Sequence, residues 1–102
     1  MLRVAGTIQL KAGGAERIRA AGIAMVAATV AEEGCIDYSF ASDLGDPDLI
    51  RIAEGWTDEA ALGAHSKSAH MATFNQVMGA EGIVAADLKL YSAEEVKQLL
   101  KI

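Results

Sequence analysis

His65 and His70 stand in the stretch EGWTDEAALGAHSKSAHMATFNQ (54–76), which is otherwise mostly alanine and small polar residues behind Glu54 and Trp56. An imidazole with its ordinary pKa near ~6.5 can take a proton from an acidic substrate, hold a metal, or simply satisfy a helix end. His65 falls at the end of a short helical run, where the dipole also favours its charge and a hydrogen bond to the chain would satisfy it. His70 falls in the first turn of the next run, an unfavourable place for a charged ring, and a neutral role pinning that junction competes there with catalysis. A metal would need a third ligand. The spacing HSKSAH does not match the HExxH helix face, and no Cys or Asp partner stands nearby, so no metal is expected.

Four further residue types around the histidines bear on chemistry. Glu54 closes an apolar strand face, where desolvation would raise its pKa; it is a candidate acid or base, an orienter of His65, or a pin for the strand-to-helix junction. Trp56, the only tryptophan, could wall an aromatic substrate, although a lone indole at a strand end is more often core. Tyr38 could offer a hydroxyl to a quinol oxygen, and Asn75 could orient substrate from one turn beyond Met71. Met25, Met71, Phe74 and Met78 would supply a compliant apolar lining.

The elements that must position these groups can be read from periodicity. LRVAGTIQL (2–10) alternates as a strand with one buried face, and AERIRAAGIAMVAATVAEE (15–33) carries Ile18, Gly22, Met25 and Thr29 on one helical stripe, with Ile23, Val26 and Val30 beside it as a broad apolar face, before Gly34. CIDYSFAS (35–42) and LIRIAEGW (49–56) form a hairpin in which Ile36, Tyr38 and Phe40 share one face and Ile50, Ile52, Glu54 and Trp56 another. Thr57 can cap a helix over DEAALGAH, and Ser68 a second over AHMATFNQVMG. GIVAADLKLY (82–91) alternates again. Ser92-Ala93-Glu94-Glu95 has a capping-box pattern ahead of VKQLLKI, which predicts a C-terminal helix over 92–102 behind a core of 2–91. The order β-α-β-β-α-β is an α+β, ferredoxin-like split βαβ arrangement with a four-stranded antiparallel sheet.

The chain has 102 residues, enough for one domain, 1–102, burying about two-thirds of its extended-chain surface. Nine basic against fourteen acidic residues, net charge −5 and no Lys/Arg cluster argue against nucleic acid or an anionic membrane as partner. The single Cys35 cannot form an intramolecular disulfide, and neither a signal core nor a long apolar run is present, so a cytoplasmic protein is expected. Ala5, Thr7, Cys35, Ala41, Ala53, Ile83 and Ala85 on the face away from the helices are too apolar for water. A homodimer packed sheet face to sheet face would cover them.

The phrases VAATVAEEGCIDYSF, LIRIAEGWTDEAALGAHSKSAHMATF and LKLYS, in this order of elements, resemble the antibiotic biosynthesis monooxygenase (ABM) family of small dimeric α+β barrels, which includes quinol monooxygenases. The resemblance covers residues 2 to 91 and rests mainly on the combined run E-x-W, A-L-x-x-H and S-x-H. It implies oxidation of a small quinol or polyketide-like phenol by molecular oxygen with no metal, flavin or haem, and it places His65 at the cleft between helices and sheet as the base. Relatives of the same fold degrade haem or isomerise sugar phosphates. The haem-degrading relatives use an asparagine in the first strand, and this chain has none there. Gly55 replaces the larger residue common between the glutamate and tryptophan, and Gly22 and Gly63 lighten the helices, which predicts a larger or looser pocket. No GxGxxG, P-loop or nucleophile elbow occurs, so no nucleotide cofactor is expected. Three activities use the same pocket: a cofactor-independent monooxygenase, an isomerase or lyase shuttling a proton through His65 and Glu54, and a non-catalytic dimeric binder of small molecules.

Overall fold

A computed structural model describes residues 1–102. Its elements are β1 (Leu2–Leu10), α1 (Gly14–Val30), β2 (Cys35–Ser42), β3 (Leu49–Trp56), α2 (Glu59–Ser66), α3 (Ala69–Glu81) and β4 (Ile83–Ser92). The strands form one antiparallel sheet in the order β2-β3-β1-β4, the ferredoxin-like arrangement expected from the sequence. No helix is long and apolar enough to cross a membrane.

Strand alternation decides which side chains meet the helices. In β1 and β3, Val4 pairs with Glu54, Gly6 with Ile52 and Ile8 with Ile50, and on the other side of β3 Tyr38 pairs with Glu54 and Phe40 with Ile52. Directly paired residues share a face, so a single apolar surface runs across the sheet with Glu54 near its end. Ile8, Leu10, Ile50 and Ile52 meet Ile18 and Met25 of α1 and Phe74 and Met78 of α3 in the core. Each such side chain contributes about 1.5–3 kcal/mol by leaving water. Phe40 and Phe74 add an edge-to-face contact with centroids 5.4 Å apart. The α1 stripe of Ile18, Gly22, Met25 and Thr29 is buried as its spacing predicts, but the face is narrower than expected: Val26 packs at its edge while Ile23 and Val30 are exposed.

The helix starts are fixed by side chains from loops. Asp48, in the β2–β3 connection, accepts from the backbone N–H groups of Gly13 and Ala15 and so caps α1 across the sheet. Those bonds hold its carboxyl below the usual range. Asp58, rather than Thr57, caps α2 by accepting from Ala61 N. Ser68 caps α3 as expected.

Two further expectations are corrected. The β2–β3 pairing skips Ile36 between Cys35 and Asp37, and this bulge turns Ile36 out to solvent, 48% exposed, instead of placing it beside Tyr38 and Phe40. No helix forms after β4: residues 93–102 are irregular, with Val96, Leu99, Leu100 and Ile102 exposed. A ten-residue helix is marginal without a surface to pack on, and the tail has none on its own chain.

Candidate active site

The two histidines converge on a residue the sequence does not single out. Glu32 lies in the turn between α1 and β2, where its N–H donates to Thr29 O and its carbonyl accepts from Cys35 N. Gly34 follows with φ +83, a left-handed conformation; a side chain there would collide with Ala61 and Thr57 of the next layer. The turn thus presents the Glu32 carboxylate to the helix pair. Its Oε2 lies 2.6 Å from His65 Nδ1 and 3.0 Å from His70 Nε2. An ionised carboxylate only accepts, so it selects the His65 tautomer with the proton on Nδ1 and leaves Nε2 able to take one. The same oxygen places the His70 proton on Nε2.

His65 is the better buried of the pair, 4% exposed at the end of α2. Its ring packs on Trp56 with centroids 4.7 Å apart and planes tilted by 37°, and Tyr38 lies at 5.6 Å. No buried polar side-chain atom lacks a partner, and the only hydrogen bond of the ring is that of Nδ1, so Nε2 faces accessible space. Ser68 Oγ accepts from Met71 N to start α3 and donates to the His65 carbonyl at 2.7 Å, which fixes the break between the two helices.

Glu54 makes no hydrogen bond to His65. Its Oε1 accepts from Trp56 Nε1 at 2.9 Å, so the carboxylate and indole form a buried pair behind the imidazole. Burial raises the Glu54 pKa, against the opposing pull of the Trp56 hydrogen bond and of positive charge on His65. Burial also pushes the Tyr38 phenol far up, with the charge of Glu54 next in weight, so the hydroxyl stays neutral and can donate.

These groups border a cavity of about 340 Å³ between the sheet and helices α2 and α3. Ile8, Ile52, Met71, Phe74 and Met78 give apolar walls, while Tyr38, Glu54, His65, Ser66 and Asn75 supply polar atoms. Of the residues singled out in the sequence, His65, Glu54, Tyr38, Met71, Phe74, Asn75 and Met78 line it. Trp56 does not: it is fully buried behind His65 and positions that ring. His70 and Met25 lie instead along a separate, smaller pocket of about 210 Å³ beside α1. The three glycines do not enlarge the cavity as expected. A side chain at Gly55 would point at the Arg3–Asp37 ion pair on the opposite sheet face, one at Gly22 would touch Phe74, and one at Gly63 would enter open space.

Glu32 is the residue that sequence reasoning missed. One signal could have found it: an acid just past the C-terminus of a helix sits against the dipole, and such a placement needs a compensating partner. The group expected to be absent beside the histidines comes from more than thirty residues upstream.

The model for antibiotic biosynthesis monooxygenases matches residues 1–77. The chain belongs to this family. Among solved structures, a Deinococcus radiodurans protein whose description as an antibiotic biosynthesis monooxygenase is provisional is 23% identical, with TM-score 0.87 over 99% of this chain and 100% of its own. A Pseudomonas aeruginosa protein is 28% identical, with TM-score 0.81 over 92% of this chain and 94% of its own. A conserved protein of Methanosarcina mazei is 25% identical, with TM-score 0.82 over 91% and 92%. No curated protein matches the chain. The ABM match ends within α3, so it includes Glu32, His65 and His70 but not β4.

Proposed function

We propose that the chain is a cofactor-independent monooxygenase that oxidises a small quinol or polyketide-like phenol with molecular oxygen. The observation that carries this is the imidazole of His65, held through Nδ1 by Glu32 with Nε2 open, at the edge of a mainly apolar cavity. A volume of about 340 Å³ lies at the low end of small-molecule pockets and suits a compact aromatic. His65 Nε2 takes the acidic proton of the substrate. The anion is electron-rich enough to pass an electron to oxygen, and recombination forms the new C–O bond. The His65 imidazolium returns its proton to the peroxide, and loss of water with the hydrogen remaining on that carbon leaves a carbonyl, so one oxygen atom ends in product, the other in water, and all electrons come from substrate. Neutral Tyr38 donates a hydrogen bond to the substrate oxygen, and the apolar walls exclude bulk water from the anion.

The test is oxygen consumption by chelator-treated protein with a menadiol or anthrone-type substrate, corrected for autoxidation. Saturable uptake is expected, and His65→Ala should lower kcat by about 10²–10⁴, the usual contribution of a positioned base. Absence of enzyme-dependent uptake across such substrates would overturn the proposal. Turnover of a carbonyl substrate without oxygen would favour an isomerase using the same base.

A further inference from the structure

Glu32 Oε2, His65 Nδ1 and His70 Nε2 all lie within 4.8 Å of one another. They come from three separate pieces of backbone: the turn after α1, the last turn of α2 and the first turn of α3. Two imidazoles and one carboxylate form a donor set that serves open zinc sites and non-haem iron sites alike. We propose that this trio binds a divalent first-row transition-metal ion, which takes the place of the protons now bridging the three groups.

Two of the three separations are near what the exchange needs, and the third must close: His65 Nδ1 and His70 Nε2 lie within 4.8 Å, so rotation of the His70 side chain has to bring them together by up to about 1.5 Å. Bonds of about 2.0–2.2 Å to nitrogen and oxygen place neighbouring ligand atoms roughly 3.0–3.5 Å apart around a tetrahedral or octahedral ion. The Glu32–His70 separation of 3.0 Å already meets this. The Glu32–His65 contact of 2.6 Å is a hydrogen-bond length and must open by about 0.5 Å, within reach of a small carboxylate rotation. The ring of His65 is held by its contact with Trp56, and the backbone step from His65 to His70 is fixed by the two hydrogen bonds of Ser68. Side-chain exposures of 16% for Glu32 and 25% for His70 leave an entry path. The nitrogen pair selects zinc, cobalt, nickel, copper or ferrous iron over magnesium and calcium, which prefer an all-oxygen shell. With only three protein ligands, water completes the coordination.

This inference does not depend on the monooxygenase proposal. A metal on Nδ1 would displace Glu32 as the partner of that nitrogen and weaken Nε2 as a base, so the metal-bound and base-competent states exclude each other.

Chelator-stripped protein titrated with Co²⁺ in the absence of substrate tests the site. One Co²⁺ per chain should produce d–d absorption, raise the melting temperature and be displaced by Zn²⁺. His70→Ala and Glu32→Gln, each checked for native circular dichroism, should weaken binding at least about tenfold, since losing a ligand costs no less than losing a group that merely orients one. Lack of a cobalt spectrum at millimolar metal, or undiminished binding by both variants, would overturn the proposal. Oxygen uptake is measured in chelator and metal binding without substrate, so either proposal can fail alone.

Discussion

Glu32→Gln separates positioning from bulk stability. The amide keeps the shape of the carboxylate but offers only one acceptor oxygen beside a donor, so it no longer imposes one tautomer on His65. A loss of about 10- to 100-fold in kcat with KM little changed is expected from steady-state oxygen uptake, a part of what a general base contributes. An equal rise in KM instead would mean that Glu32 shapes the cavity rather than the base. At Glu54 the relevant quantity is stability against pH. A carboxyl whose pKa is raised in the folded state binds its proton more tightly folded than unfolded. Its contribution is therefore full below the ordinary value of 4.5 and is lost as pH rises through the higher folded value. Glu54→Gln retains an acceptor for Trp56 Nε1 and cannot ionise. Its melting temperature relative to wild type should climb as pH is raised from about 4 toward neutrality; a difference independent of pH would show that Glu54 does not titrate in this range.

The junction of α2 and α3 is the element on which the site depends most. Ser68→Ala removes a helix cap worth about 1 kcal/mol together with the hydrogen bond to the His65 carbonyl. Thermal denaturation should show that loss, and oxygen uptake should fall further than His65-independent destabilisation accounts for. Both histidines and the Ser68 cap were legible in the sequence because their placement is local, set by helix ends a few residues apart. Glu32 was not, because its approach depends on how α1 crosses the sheet and on the left-handed Gly34 turn, and nothing in the periodicity of residues 15–33 aims an acid at residue 65. Trp56 illustrates a related limit. Alternation placed it on the correct face of β3, yet whether that end of the face opened to a cavity or lay beneath α2 was a tertiary matter. The bulge at Ile36 defeated the alternation of β2 for the same reason, since one skipped residue reverses which side chain turns inward.

For the whole molecule, strand order and layers followed from hydrophobic period, whereas the uncovered surface did not. Ile83 pairs with Leu10 and so faces the helices, and the face away from them carries Arg3–Asp37 and Lys89–Asp87 ion pairs among its small residues. Apart from Ile23, Val30, Ile36 and Leu44, the large exposed apolar side chains beyond Met1 lie on β4 and the tail, among them Val84, Leu88, Leu90, Val96, Leu99 and Leu100. Leu88 also borders the cavity. We propose that a second copy covers β4 and the tail, an association that would bring the partner to the cavity mouth. Light scattering after size exclusion should give twice the chain mass, and Leu88→Asp with Leu90→Asp, or removal of residues 93–102, should shift it toward the monomer. A wild-type monomer at high concentration would sink the proposal.

The contact between Trp56 and His65 has an optical consequence. The chain holds one indole, sealed from solvent and 4.7 Å from the imidazole centroid. A protonated imidazole quenches indole emission on contact, and a neutral or metal-bound ring does so differently. Intrinsic fluorescence of the unlabelled protein therefore reports on the ionic state of both neighbours of the indole, His65 and the Glu54 carboxylate bonded to its Nε1, and Glu54→Gln isolates the part due to His65.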